Sequence, residues 1–109
     1  MTTTTPSILG QNMPTAGIDT NLFTVANGTQ VQFNLFVCNQ VAFQNQFSVA
    51  LVPNGGIENQ ATYVAFNTIL TGNGIFTIGG LYLSSGDQVR VSSKSGNISF
   101  TATGLIINN

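Results

Sequence analysis

The acidic, basic and thiol side chains in this 109-residue chain are few: Asp19, Glu58, Asp87, Arg90, Lys94 and Cys38, with no histidine anywhere. General acid–base catalysis draws on histidine or on two carboxylates whose environments push their pKa values apart. Here the three acids are scattered along the sequence. A serine or cysteine nucleophile needs a base beside it, and Cys38 has no histidine to serve it. Zinc lacks ligands, and no acidic loop has the spacing of a calcium site. Gly72-Asn73-Gly74 and Gly79-Gly80 lack the Lys-Ser/Thr pair and the following helix of a phosphate loop, so they read as turn glycines. Asp87, in Ser85-Gly86-Asp87, has the setting of a turn carboxylate that accepts from nearby backbone N–H groups. These residues predict no enzymatic activity and no cofactor.

What could position any site is a single domain, because the length suits one core and not two. Hydrophobic residues make up 42% of the chain and charged residues 5%, against about 25 % charged in an ordinary soluble domain. Asn, Gln, Ser and Thr take their place. With a net charge of −1 and two cations, no basic patch exists to displace counterions from a nucleic acid, and little holds the chain to anionic lipid. No apolar run approaches the roughly 20 residues that span a bilayer. The opening MTTTTPSILGQ has neither the positive nor the apolar segment of a secretory signal. A lone cysteine forms no internal bridge, so Cys38 reads as a small apolar side chain made in a reducing compartment.

Residues 1–19 read as an extended N-terminal arm: a threonine run, Pro6, Pro14, and the apolar residues Ile8, Leu9, Met13 and Ile18 without helical or strand period. From residue 20 to 109 the period is two, punctuated by Gly and Asn. Leu22 to Val25 form a strand, and Asn27-Gly28 suits a tight hairpin. Val31, Phe33, Leu35 and Val37 share one face, while Phe36 and Cys38 interrupt the polar one. Phe47, Val49 and Leu51 follow, then Tyr63 to Leu70 with Val64, Phe66 and Leu70 facing the core. Ile75 to Ile78, Leu81 and Leu83 come next, then Val89 and Val91. Lys94 to Asn97 reads as another hairpin before Ile98, Phe100 and Ala102. Seven to eight short strands and no helical stripe predict an all-β fold, one antiparallel β-sandwich of jelly-roll or immunoglobulin-like connection.

Low charge combined with surplus apolar residues points to assembly. When identical copies pack around a symmetry axis, a surface charge meets its own image, and like charges across a contact cost several kcal/mol. Amides and hydroxyls escape this and exchange hydrogen bonds in either direction. Candidate contact residues are Ile8, Leu9 and Met13 of the arm, Phe36 and Cys38 of the second strand face, Val41 and Phe43, and the tail Leu105, Ile106 and Ile107. They predict a homo-oligomer, with copies of the chain and other structural proteins as partners.

Several stretches have a familiar pattern: Ile8-Leu9-Gly10-Gln11, Leu22-Phe23-Thr24-Val25 leading through Gly28-Thr29 to Val37-Cys38-Asn39, Phe47-Ser48-Val49-Ala50, and Leu81-Tyr82-Leu83-Ser84-Ser85-Gly86-Asp87 before Val89 and Val91. Together they resemble small virion structural proteins of tailed bacteriophages, over most of the chain from Ile8 onward. Ala26-Asn27 stands where Pro-Ala is common in those proteins, and charge is scarcer here. The resemblance implies a non-enzymatic component of the virion, assembled after synthesis in the host cytoplasm. A capsid decoration or cement protein, bound to the major capsid protein, comes first among its expectations. The alternative is a tail, baseplate or fibre component, or a glycan-binding host-attachment module for which Tyr63 and Tyr82 supply the only tyrosines.

Overall fold

The computed structural model describes residues 2–108. Eight strands account for most of them: β1 (Thr3–Asn12), β2 (Thr20–Thr24), β3 (Thr29–Asn39), β4 (Asn45–Val52), β5 (Tyr63–Leu70), β6 (Ile75–Ser84), β7 (Gln88–Ser93) and β8 (Ile98–Asn108). One 3-10 turn, Gln60–Thr62, interrupts the connection before β5. The strands lie in two four-stranded antiparallel sheets, β1-β8-β3-β6 and β2-β7-β4-β5.

Pairing is nested: β1 with β8, β2 with β7, β3 with β6, β4 with β5. The chain is thus one long hairpin folded over on itself, and the pairs β3·β8 and β4·β7 close each sheet. This is the jelly-roll form of the expected sandwich. Only β4–β5 connects neighbours within a sheet; every other connection crosses to the opposite one. Asn27-Gly28 and Lys94–Asn97 therefore turn the chain between sheets and do not close the hairpins the sequence predicts. Their local chemistry is as expected, with Gly28 at φ 80° and Asn97 at φ 61°. Positive φ sets the tightness of a turn and leaves open which sheet the next strand joins.

The core lies between the inner faces. Val31, Phe33, Leu35 and Val37 of β3 meet Phe47 and Val49 of β4, Val89 and Val91 of β7, and Ile98, Phe100 and Ala102 of β8, all buried. Phe47 packs against Phe76 and Phe100 with ring centroids 5.2 and 6.2 Å apart, and Phe23 meets Phe33 edge-on at 5.3 Å. The fully buried rings, Phe33, Phe47 and Phe100, each contribute about 1.5–3 kcal/mol by leaving water.

Two segments depart from the sequence expectation. Val64 and Phe66 point outward, 45% and 60% exposed, while Ala65 and Leu70 face the core. Phe47 pairs with Thr68 and Val49 with Ala65, so Phe66 and Asn67 of β5 oppose Ser48 of β4 alone and the alternation inverts. Asn67 takes up the extra residue at φ 47°, its N–H donating to Ser48 Oγ at 2.9 Å. The other departure is residues 3–12. They lie in the sandwich as edge strand β1, paired with β8 from Thr3↔Asn108 to Asn12↔Phe100. Most of β1 is exposed, and a bulge between Ile8 and Gly10 breaks its alternation, so no strand period survives in the sequence.

Gly104 shows how closely β8 and β3 approach. A Cβ there would strike the Gln32 carbonyl oxygen and sit 2.6 Å from Phe33 Cα. Since backbone cannot swing aside, Gly104→Ala should lower the unfolding free energy by about 1–3 kcal/mol, measured by urea denaturation with an unchanged m-value. Wild-type stability in that variant would mean that the two strands are further apart than described.

Candidate assembly interface

The outer face of the β1-β8-β3-β6 sheet is built from the residues that alternate with the core. Register places them in rows across the strands: Pro6, Leu105, Gln32 and Tyr82 in one, and Gln11, Thr101, Phe36 and Thr77 in another. Cys38 lies between Ser99 and Ile75. None of the four strands contains Lys, Arg, Asp or Glu. Apolar side chains occupy both ends of the face, with Leu105, Ile107 and Tyr82 at one and Phe36, Cys38 and Ile75 at the other. Thr103 and Asn34 lie between them, and Thr101 stands level with Phe36.

Of the residues singled out from sequence, Ile8, Phe36, Cys38, Leu105 and Ile107 come together on this face. Ile8 is 61% exposed and Phe36 44%. Leu9 and Ile106 turn the other way and pack against the core. Met13 is exposed in the β1–β2 connection, and Val41 and Phe43 lie in the β3–β4 connection, Phe43 exposed. Ile75 and Tyr82, exposed on the same face, were not among the candidates. Gly79-Gly80 hides them: the pairing steps from Leu35↔Ile78 to Phe33↔Leu81, so the glycines add one residue and outward positions change from odd to even numbers. Gly80 adopts φ 70°, and its N–H donates to Asn34 Oδ1 at 3.2 Å.

The opposite sheet treats its outer face differently. Arg90 of β7 pairs with Asp19 at 2.7 Å and lies 3.6 Å from Glu58. Glu58 Oε2 accepts from the Tyr63 hydroxyl at 2.9 Å. These contacts draw the β4–β5 connection back across β4, whose Ala50, paired with Arg90 and Tyr63, is only 1% exposed. Residues separated by long stretches of sequence thus meet in one cluster, and no local motif announces it. Asp87 follows its turn pattern, accepting from Ser84 N at 3.0 Å and from Asn54 N at 2.8 Å. Among the described residues, no group of three or more His, Cys, Asp or Glu could hold a metal ion. Beside the cluster, Tyr63 meets Phe66 at 4.8 Å and, with Gln60, lines a shallow depression of about 320 Å³.

No family model matches the sequence, and no curated protein matches it. Among solved structures, a chain in the structure of infectious bursal disease virus Gx strain is similar, with a TM-score of 0.54 at 11% identity over 98% of this chain and 32% of that one. This chain therefore spans about a third of that chain's length. The likeness is one of fold.

The Tyr63 hydroxyl gives a direct readout of the cluster. Its hydrogen bond to Glu58, then burial, then the nearby negative charges of Glu58 and Asp19 raise its pKa above the ordinary value of 10.0. A raised folded-state pKa favours folding below pH 10 and loses that contribution as pH climbs through the folded value. In a Tyr82→Phe background, phenolate absorbance should show a midpoint above 10.0. Glu58→Gln should bring it back down; an unmoved midpoint would mean that Glu58 does not hold the hydroxyl.

Proposed function

We propose that this chain is a non-enzymatic virion structural protein that works by being buried against other protein of the particle. The observation that carries this reading is the β1-β8-β3-β6 outer face, apolar at both ends and free of acidic and basic side chains. A sheet face facing only water gains nothing from Phe36, Ile75 and Leu105, whereas a face covered by protein gains their burial. The jelly roll, the viral origin of the similar solved structure and the resemblance to tailed-phage virion proteins support the same reading. Within it, a decoration or cement role on the head shell comes first, because a small slab with a net charge of only −1 accumulates little charge as it repeats over a lattice.

Quantifying the chain in purified particles by mass spectrometry tests this. A copy number on the order of hundreds is expected for a repeating shell component, about six or twelve would move it to the tail, and absence from particles would overturn the reading. Truncating residues 1–19 is a poor substitute, since it strips β1 from its sheet.

A second reading, attachment to host glycans, is favoured by the Gln60–Tyr63–Phe66 depression, where the exposed Phe66 ring, the half-buried Tyr63 ring and an amide could face a sugar. It predicts binding on a glycan array that Phe66→Ala abolishes. A blank array with the wild-type chain would dispose of it.

A further inference from the structure

We infer that the outer face of the β1-β8-β3-β6 sheet pairs with the same face of a second copy across a two-fold axis, an inference that rests on the structural-assembly reading and names its partner. Three observations converge on a copy of this chain as the occupant.

The first is charge. In a two-fold contact every residue near the axis faces its own image, so a charged face repels itself. This face has no acidic or basic side chain, while Arg90, Asp19 and Glu58 gather on the opposite sheet. Threonine and amide side chains such as Thr101, Thr103 and Gln32 each donate and accept, so they can bond to their own images.

The second is the state of the sheet edges. The edge strands are β1, β6, β2 and β5, and each pairs with its neighbour through a register break: Ile8/Gly10, Gly79-Gly80 opposite Phe33/Leu35, Asn21/Phe23, and Asn67 opposite Phe47/Val49. The interior pairings β3·β8 and β4·β7 show none. Bulges twist an edge away from another strand, so association is steered from the edges to the face.

The third is area. Strands of ten and eleven residues at ~3.3 Å per residue, four abreast at ~4.8 Å, present roughly 600 Å². Two copies together would cover about 1,200 Å², at the lower bound of stable specific interfaces. The pair should therefore form reversibly and depend on concentration.

Sedimentation equilibrium of the full chain tests the inference, with Thr101→Lys as the main variant. Thr101 lies on central strand β8, between Gln11 and Phe36, and its side chain is half-buried on the outer face, so lysine is accommodated within one subunit. The wild type should show a monomer–dimer equilibrium. Thr101→Lys should weaken it at least tenfold at unchanged melting temperature, and an equimolar mixture with Thr101→Glu should restore it as a heterodimer. Phe66→Lys, on the other sheet, should leave it unaltered. A strictly monomeric wild type, a dimer indifferent to Thr101→Lys, or one dissociated by Phe66→Lys would overturn self-pairing through this face. A chain that is monomeric alone yet abundant in particles sinks the pairing and spares the virion role; a dimer missing from particles does the reverse.

Discussion

Two sheets packed face to face hide two of their four faces from water, and the treatment of the remaining two determines how this chain behaves. Its inner faces are conventional, filled by alternating residues such as Phe33, Phe47 and Phe100. Outside, the two sheets differ in charge more than in exposed apolar side chains, since Val64, Phe66 and Ile69 of β5 are exposed as well. The β2-β7-β4-β5 sheet has an Arg90-centred ion pair and a returning loop laid over Ala50, while the other sheet leaves Phe36, Ile75 and Tyr82 in the open. A chain with five acidic and basic residues could have spread them over both faces. Three of them, Asp19, Glu58 and Arg90, gather on one side, and none of the five lies in the strands of the other sheet, which leaves its face free to meet a neutral surface.

Two buried asparagines find their partners through the same neutral chemistry. Asn39, 1% exposed, donates through Nδ2 to the carbonyls of Phe43 and Thr71 at 2.9 and 3.0 Å and accepts from Val41 N at 3.2 Å. One amide thereby joins the β3–β4 connection to the β5–β6 turn. Asn45 acts likewise, donating to Gly96 O at 2.8 Å from a buried position. A carboxylate at either site would bring acceptors to carbonyls and would bury an unpaired charge. Asparagine makes these links without burying a charge.

Much of the sandwich was legible in the sequence wherever period two ran uninterrupted. Val31 through Val37 read correctly because β3 lies between two strands and has no extra residue on its own chain. Reading failed at the bulges: Asn67 and Gly79-Gly80 each invert the alternation, which put Phe66 on the wrong side and concealed Tyr82. Strand partners were illegible for another reason. Turn residues such as Asn27-Gly28 specify local dihedrals, whereas the choice of sheet follows from the packing of distant segments. The nested order makes this acute, since β1 and β8 meet only when nearly the whole chain is enclosed between them, a topology of high contact order. Of the outer face, Phe36 and Cys38 announced themselves by breaking a polar pattern; Ile75 did not, because the Gly79-Gly80 step conceals which face of β6 it occupies.

The same nesting has a topological corollary. Thr3 and Asn108 are register partners in adjacent strands, so both ends of the described chain emerge at one corner of the slab. A backbone entering there can leave beside its point of entry, which lets the whole jelly roll sit as a side-branch within a longer polypeptide while scarcely spreading its host. Joining the two ends and opening the ring at any of the inter-sheet crossings would preserve every ladder, making this architecture a natural subject for circular permutation.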